Sequence, residues 1–140
     1  MPSTLKPAHL ALILLSAAVL VCPGCLDAAA KKTILIEQMI QGGLAVKDDI
    51  MKDSAGTIGG YDVYRDGEKD GVVFEYQYAE NVIVDQSQLT EESVRQQMLE
   101  TMSADADSKK IIGMGIYVRF IFKSAQGETY VDTTITQDDL

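Results

Sequence analysis

Two stretches of alternating side chains constrain the fold of this chain more than any other feature of its sequence. They cover residues 72–78 and 116–122, and the side chains on their inward faces are those of Val72, Phe74, Tyr76, Tyr78, Ile116, Val118, Phe120 and Phe122. A period of two is typical of a strand that buries one of its faces. The sequence therefore predicts a sheet with one face in the core and the other turned outward.

Each clear strand has a candidate partner beside it in the chain. Residues 61–65 precede the first strand and reach it through the segment 66–71, which is rich in Asp and Gly. Residues 128–136 follow the second strand after a turn at 125–127. Because turn residues separate two apolar runs in both places, the sequence predicts two hairpins.

Two helices are predicted, one before each hairpin. Residues 31–52 have apolar side chains at helical spacing, and Gly42-Gly43 in their middle either breaks this helix or lets it pack closely on the sheet. The second helix is expected to begin after Thr90, which can cap it, and to end within residues 103–107. The spacing of its apolar residues places Val94 on the buried side.

The order helix, hairpin, helix, hairpin predicts an α+β fold with two helices on one face of a four-stranded antiparallel sheet. Residues 71–78 also align with residues 115–122, which indicates either an internal duplication or two unrelated amphipathic strands. Residues 55–136 resemble small exported bacterial α+β domains that have no characterised activity. That resemblance implies a fold and no chemistry.

The N-terminal segment has the three parts of an export signal. Lys6 precedes an apolar run over residues 10–21, and small residues follow it. The run is about a dozen residues long, whereas a membrane span needs about 20. We therefore predict a signal peptide over 1–24, a tether over 25–32 and a single domain over 33–140.

Gly24-Cys25 resembles the cleavage site of bacterial lipoprotein signals, with Cys22 and Pro23 where that pattern usually has Leu and a small residue. The resemblance implies that Cys25 is acylated and holds the protein on a membrane of the cell envelope. Leu26 after the cysteine implies the outer membrane, if the host has one. The alternative is a cut after Ala30, which would give a soluble periplasmic or secreted protein.

The residue types missing from the predicted domain exclude several kinds of site. The single His of the chain is His9, and its two Cys are Cys22 and Cys25, so all three lie before the predicted domain. The domain therefore has no Ser-His-Asp or Cys-His site and no zinc site of His and Cys. Its net charge of −9 argues against nucleic acid as a partner. We expect no cofactor, although chemistry by carboxylates stays open.

Two sets of residues are candidates for binding. The outward face of the second clear strand carries Tyr117, Arg119, Ile121 and Lys123, and Val73 points the same way from the first. Exposed aromatic residues beside Arg are common anchors of protein interfaces. The other set, Asp66, Glu68 and Asp70, has the spacing of a calcium-binding loop, although a polar hairpin turn is favoured over a metal site.

These observations favour a non-enzymatic binding module that is tethered to the cell envelope and contacts another envelope protein. Two alternatives stay open. The first is an inhibitor or immunity-type protein whose acidity suits a basic envelope enzyme. The second is an enzyme that uses two carboxylates held in different environments. No spacing in the sequence singles out such a pair, and no catalytic residue is assigned.

Overall fold

The computed structural model describes residues 27–140, and the predicted signal peptide with Cys25 lies outside them. Within residues 27–140 there are four α-helices and four strands, followed by a short 3-10 turn over Gln137–Asp139. In order they are α1 (Ala28–Ala45), α2 (Lys47–Asp53), β1 (Ile58–Arg65), β2 (Gly71–Tyr78), α3 (Glu91–Ser103), α4 (Ala106–Gly113), β3 (Tyr117–Lys123) and β4 (Thr129–Ile135). The α+β class is confirmed, but the first predicted helix is divided into α1 and α2, and α4 follows the second predicted helix as an additional one.

The sheet has the strand order β1-β2-β3-β4, and both predicted hairpins are antiparallel pairs. Its two central strands, β2 and β3, run parallel, with Gly71 opposite Tyr117 and Gln77 opposite Lys123. The prediction of a fully antiparallel sheet was therefore wrong. The reason is the long connection through α3 and α4, because a helical crossover carries the chain from the end of β2 back to the end of the sheet where β2 began.

The first predicted helix divides at Val46, three residues beyond Gly43. Gly43 instead serves close packing, since a Cβ atom placed on it would lie 2.8 Å from Cγ2 of Val63. The hydroxyl of Tyr61 donates a hydrogen bond to the Gly43 carbonyl at 3.0 Å. The glycine thus lets α1 lie against β1 without breaking the helix.

The helix α4 was not predicted. Residues 103–107 were interpreted as the end of a helix, yet the side chain of Asp105 accepts a hydrogen bond from the Ser108 amide and caps a new one. The predicted cap at Thr90 is confirmed, because its hydroxyl accepts from the Ser93 amide at 3.1 Å. A short polar side chain can end one helix and begin another, and only the backbone distinguishes the two roles.

All four helices bury their apolar residues against the same face of the sheet. In the middle of this core, Phe74 stacks on Phe120 and Tyr76 stacks on Phe122, with ring centroids 5.6 and 5.0 Å apart. These pairs join the two parallel strands, so the alternating residues of the sequence form the centre of the core. None of the helices within residues 27–140 has the length and apolar content needed to span a membrane.

Candidate functional site

The face of the sheet that points away from the helices is the candidate site. We call it the outer face and define it by eight residues: Tyr64, Val73, Glu75, Tyr117, Arg119, Ile121, Lys123 and Asp132. All five residues of the predicted surface lie on it. Three strands contribute the remaining members, because Tyr64, Glu75 and Asp132 occupy outward positions in β1, β2 and β4.

Two residues of the predicted surface form its floor. Val73 has no exposed surface and Ile121 retains 7%, yet neither belongs to the core cluster beneath the helices. Val73 lies between Tyr64 and Arg119 in the register of the sheet. Long side chains on both neighbours can exclude water from a small apolar residue between them. The members of the outer face that remain open to solvent are therefore Tyr64, Glu75, Tyr117, Arg119, Lys123 and Asp132.

Tyr117 reaches across the sheet from β3 to the end of β1. Its hydroxyl donates a hydrogen bond of 2.6 Å to Oδ2 of Asp66. Its ring covers Gly71 of β2, where an added Cβ atom would lie 2.2 Å from two ring carbons. A glycine in a strand often marks a place where another group approaches the backbone closely. The ring is thus held flat on the sheet and its hydroxyl is fixed at one end.

Arg119 forms a bidentate ion pair on the outer face. Its Nε and Nη2 atoms donate to the two carboxylate oxygens of Asp132 at 2.7 and 2.6 Å. Its Nη1 atom lies 3.5 Å from Oδ1 of Asp66. The hydrogen bonds from Arg119 hold the pKa of Asp132 below its ordinary value. A bidentate pair fixes the plane of the guanidinium as well as its position.

A second group of contacts follows along the sheet. The Tyr64 hydroxyl donates to Oε2 of Glu75 at 2.6 Å, and Nζ of Lys123 lies 3.0 Å from Oε1 of the same carboxylate. Desolvation acts to raise the pKa of Glu75, but the hydrogen bonds from Tyr64 and Lys123 outweigh it and lower that pKa. Desolvation, helped by the bond to Glu75, raises the pKa of Tyr64 to about 12.

The outer face therefore presents fixed donors and aromatic rings, with its charges paired. A general acid needs a raised carboxyl pKa. The described carboxylates with a displaced pKa are all displaced downward, and they are those of Glu75, Asp85, Asp132 and Asp139.

The candidate calcium loop lies in the turn between β1 and β2. Asp66 bonds to Tyr117 and approaches Arg119, whereas Asp70 pairs with Arg65 at 3.3 Å and with Lys32 at 3.5 Å. Glu68 is exposed at the tip of the turn. Within residues 27–140, no group of three acidic, His or Cys side chains is arranged to hold a metal ion.

Sequence reasoning missed the acidic half of this site and one of its tyrosines. Tyr64 alternates with Val63, so the period of β1 was the signal that would have placed it on the outer face. The period of β4 likewise places Asp132 on the outer face, whereas Asp66 lies in a turn and carries no such signal. Their roles depend on Tyr117 and Arg119, which are 51 and 13 residues away in the sequence.

Comparison with known proteins gives no family for the chain. No family model matches the sequence, and no curated protein matches it. Among solved structures, the chain is similar to the type II secretion system pilotin AspS from Vibrio cholerae, with 19% sequence identity and a TM-score of 0.42. That match covers 81% of this chain and 100% of the pilotin chain. A likeness of this size assigns no function, so the function is argued from the geometry alone.

Proposed function

We propose that this chain is an exported protein of the cell envelope, lipid-anchored through Cys25, that acts as a non-enzymatic binding module. Its contact surface is the outer face, and its partner is another envelope protein. The observation that carries the proposal is that Tyr64, Tyr117 and Arg119 are held in place on a sheet face that none of the helices α1 to α4 covers.

The preorganised side chains support a role in binding. Ordering a long side chain during association costs about 0.5–1.5 kcal/mol. Tyr117 and Arg119 already have fixed positions, because Asp66 and Asp132 hold their polar ends. Tyr and Arg are also the residue types most enriched among strong interface contacts. A partner can therefore meet this face at little further cost in side-chain entropy.

The start of α1 supports cleavage before Cys25 over cleavage after Ala30. The carboxylate of Asp27 caps α1 by accepting a hydrogen bond from the Ala30 amide at 2.7 Å. A cut after Ala30 would remove this cap together with Ala28, Ala29 and Ala30, the first three residues of the helix. A cut before Cys25 leaves the capped helix whole. An N-cap contributes about 1 kcal/mol to the stability of a helix. The protein that is cut before Cys25 is therefore more stable than the protein that is cut after Ala30.

Anchoring is tested by the intact mass of the mature protein from membrane and soluble fractions. We expect a chain that begins at an acylated Cys25 in the membrane fraction. A free amino terminus at Lys31 would contradict the lipid anchor and indicate a soluble product.

The contact surface is tested by chemical cross-linking in intact cells. We expect the double variant Tyr117→Ala, Arg119→Ala to lose a cross-linked partner that the unchanged protein captures. The matched control, Lys47→Ala with Lys52→Ala, changes two exposed residues of α2 and should retain it. Equal capture by both variants would overturn the assignment of the outer face.

A further inference from the structure

The register of the sheet places three carboxylates in one row across its outward side. Asp62 of β1 lies opposite Glu75 of β2. Ile121 of β3 is the next residue of this row, and Asp132 of β4 lies opposite Ile121. We call Asp62, Glu75 and Asp132 the acidic row. Like charges on directly opposite residues of two strands destabilise a sheet, so a cation that comes close to the acidic row stabilises it.

Two of these carboxylates already have a cation from within the protein. Asp132 accepts two hydrogen bonds from Arg119, and Glu75 pairs with Lys123 at 3.0 Å. Asp62 is exposed, and no Lys or Arg within residues 27–140 forms an ion pair with it. Its Oδ1 atom accepts a hydrogen bond of 2.9 Å from the next backbone amide, so Oδ2 is left for another donor. Asp62 is thus the position of the acidic row at which a cation from outside can bind.

An aromatic ring lies beside Asp62 on the same side of β1. Tyr64 follows two residues later, about 7 Å along the strand, and it is 37% exposed. Its hydroxyl is held by Glu75, so the ring has a fixed position. Desolvation and Glu75 are the main causes of the raised pKa of Tyr64, and the charge of the nearby Asp62 adds to them. A carboxylate and an exposed ring are the two groups that suit a guanidinium, through forked hydrogen bonds and stacking.

The charge of this side of the sheet argues against a partner that carries phosphates. The outer face and the two carboxylates that border it, Asp62 and Asp66, have four acidic side chains and two basic ones. The two negative charges in excess repel nucleic acid and anionic lipid. They attract a basic protein segment, because complementary charge speeds the encounter of two proteins and selects between partners.

We infer that Asp62 and Tyr64 form the site at which the envelope partner places an arginine side chain from a basic segment. This inference rests on the proposed function, because it takes the outer face as the contact surface. The guanidinium pairs with the Asp62 carboxylate and stacks on the Tyr64 ring. It thus neutralises Asp62 as Arg119 and Lys123 neutralise the other two carboxylates of the acidic row. The contact gives this surface a preference for arginine over lysine.

Binding of a fluorescent hexa-arginine peptide tests the site directly. The mature protein is kept in a nonionic detergent at about 0.1 M salt, where exposed charges more than about 10 Å apart are screened from one another. Asp62→Asn removes the charge and keeps an oxygen for the neighbouring amide. We expect it to weaken binding by about fivefold, which is near the upper limit for an exposed ion pair.

The matched control is Asp107→Asn, which removes the same charge from an exposed position of α4, on the helix side of the sheet. It should weaken binding by less than about twofold, because it lies far from Asp62 and is screened. Equal weakening by the two variants would mean that the peptide responds to net charge alone, and it would overturn the inference.

The role of the ring is tested with hexa-lysine, which has the same charge as hexa-arginine. We expect the unchanged protein to bind hexa-arginine several-fold more tightly, and Tyr64→Leu to lose this preference. Equal binding of the two peptides by the unchanged protein, or a preference that survives in Tyr64→Leu, would overturn the arginine site.

Cross-linking in cells separates this inference from the proposed function. We expect Asp62→Asn to capture less of the partner and Asp107→Asn to capture it fully. If Asp62→Asn retained the partner while the Tyr117→Ala, Arg119→Ala variant lost it, the outer face would stand as the contact surface and the arginine site would be wrong. If the Tyr117→Ala, Arg119→Ala variant retained the partner, the proposed contact surface itself would be wrong, and the inference with it.

Discussion

The ring of Tyr117 covers the backbone of Gly71 so closely that a Cβ atom on the glycine would lie 2.2 Å from two ring carbons. The two residues are also direct neighbours in the parallel register of β2 and β3. An aromatic ring over a strand glycine buries backbone that would otherwise meet water, and it fixes the ring as well. The position of the Tyr117 hydroxyl on the outer face thus depends on the missing side chain of Gly71.

We therefore expect Gly71→Ala to displace Tyr117, because the added methyl group and the ring cannot occupy the same space. The free energy of unfolding should fall by about 1–3 kcal/mol, the usual cost of overpacking a filled site. Urea denaturation measures this change. The control is Gly113→Ala at the end of α4, where an added Cβ meets nothing within 4 Å and should not destabilise the protein. Equal stability of the two variants would contradict the packing described for Tyr117.

A second prediction concerns a buried hydroxyl in the core. The side chain of Tyr76 is fully buried, and its hydroxyl has no hydrogen-bond partner among the described residues. An unsatisfied buried polar group costs about 1–3 kcal/mol, so Tyr76→Phe should stabilise the protein by about 1 kcal/mol. Tyr61→Phe is the matched control, because that hydroxyl bonds to the Gly43 carbonyl and its loss should destabilise the protein by a similar amount. Thermal unfolding of both variants measures whether each substitution raises or lowers stability. A Tyr76→Phe variant that is less stable than the unchanged protein would contradict the prediction for Tyr76.

A third prediction follows from the tyrosines of the outer face. Desolvation, together with the bonds to Glu75 and Asp66, raises the pKa of Tyr64 and of Tyr117 from 10 to about 12. The folded state thus favours the protonated phenols. Their contribution to stability is complete below pH 10 and is lost as the pH rises towards 12.

The double variant Tyr64→Phe, Tyr117→Phe has no such phenols to titrate. Its free energy of unfolding should therefore fall less between pH 9 and pH 11 than that of the unchanged protein, as urea denaturation at the two pH values would measure. The buried Tyr61, Tyr76 and Tyr78 are present in both proteins and cancel in the comparison. Parallel losses in the two proteins would contradict the raised pKa values.

The parts of the fold that were predicted from sequence depend on local patterns. The alternation at Val72–Tyr78 placed β2 and its faces correctly, since side-chain direction in a strand is set by neighbouring residues. The parallel pairing of β2 with β3 depends on where the chain returns after α3 and α4, which no local pattern records. Residues 71–78 and 115–122 look alike because both contribute central strands. They do not occupy equivalent places, since β2 ends its hairpin and β3 begins the next.

The candidate site was predicted only in part, because local alternation gives the direction of a side chain but not its contacts with other strands. Alternation placed Tyr117 and Arg119 on the outer face, as the structure has them. It also placed Val73 and Ile121 there, but it gave no measure of how deeply their larger neighbours would bury them. The ion pairs depend on the register between strands, so Asp132 is identified as the partner of Arg119 only once β3 and β4 are aligned.

The pairing of Arg119 with Asp132 leads to the last prediction. Exposed ion pairs usually contribute between 0 and about 1 kcal/mol, and a bidentate arginine pair lies near the upper end of that range. A double-mutant cycle of Arg119→Ala and Asp132→Ala should therefore give a coupling energy on the order of 1 kcal/mol in urea denaturation. The cycle of Lys123→Ala and Glu75→Ala should give a smaller coupling energy. The lysine ammonium makes a single contact of 3.0 Å with Glu75, whereas a planar guanidinium makes two. A coupling for Arg119 no larger than that for Lys123 would mean that Asp132 does not hold the guanidinium in place, and a partner would then have to order Arg119 itself.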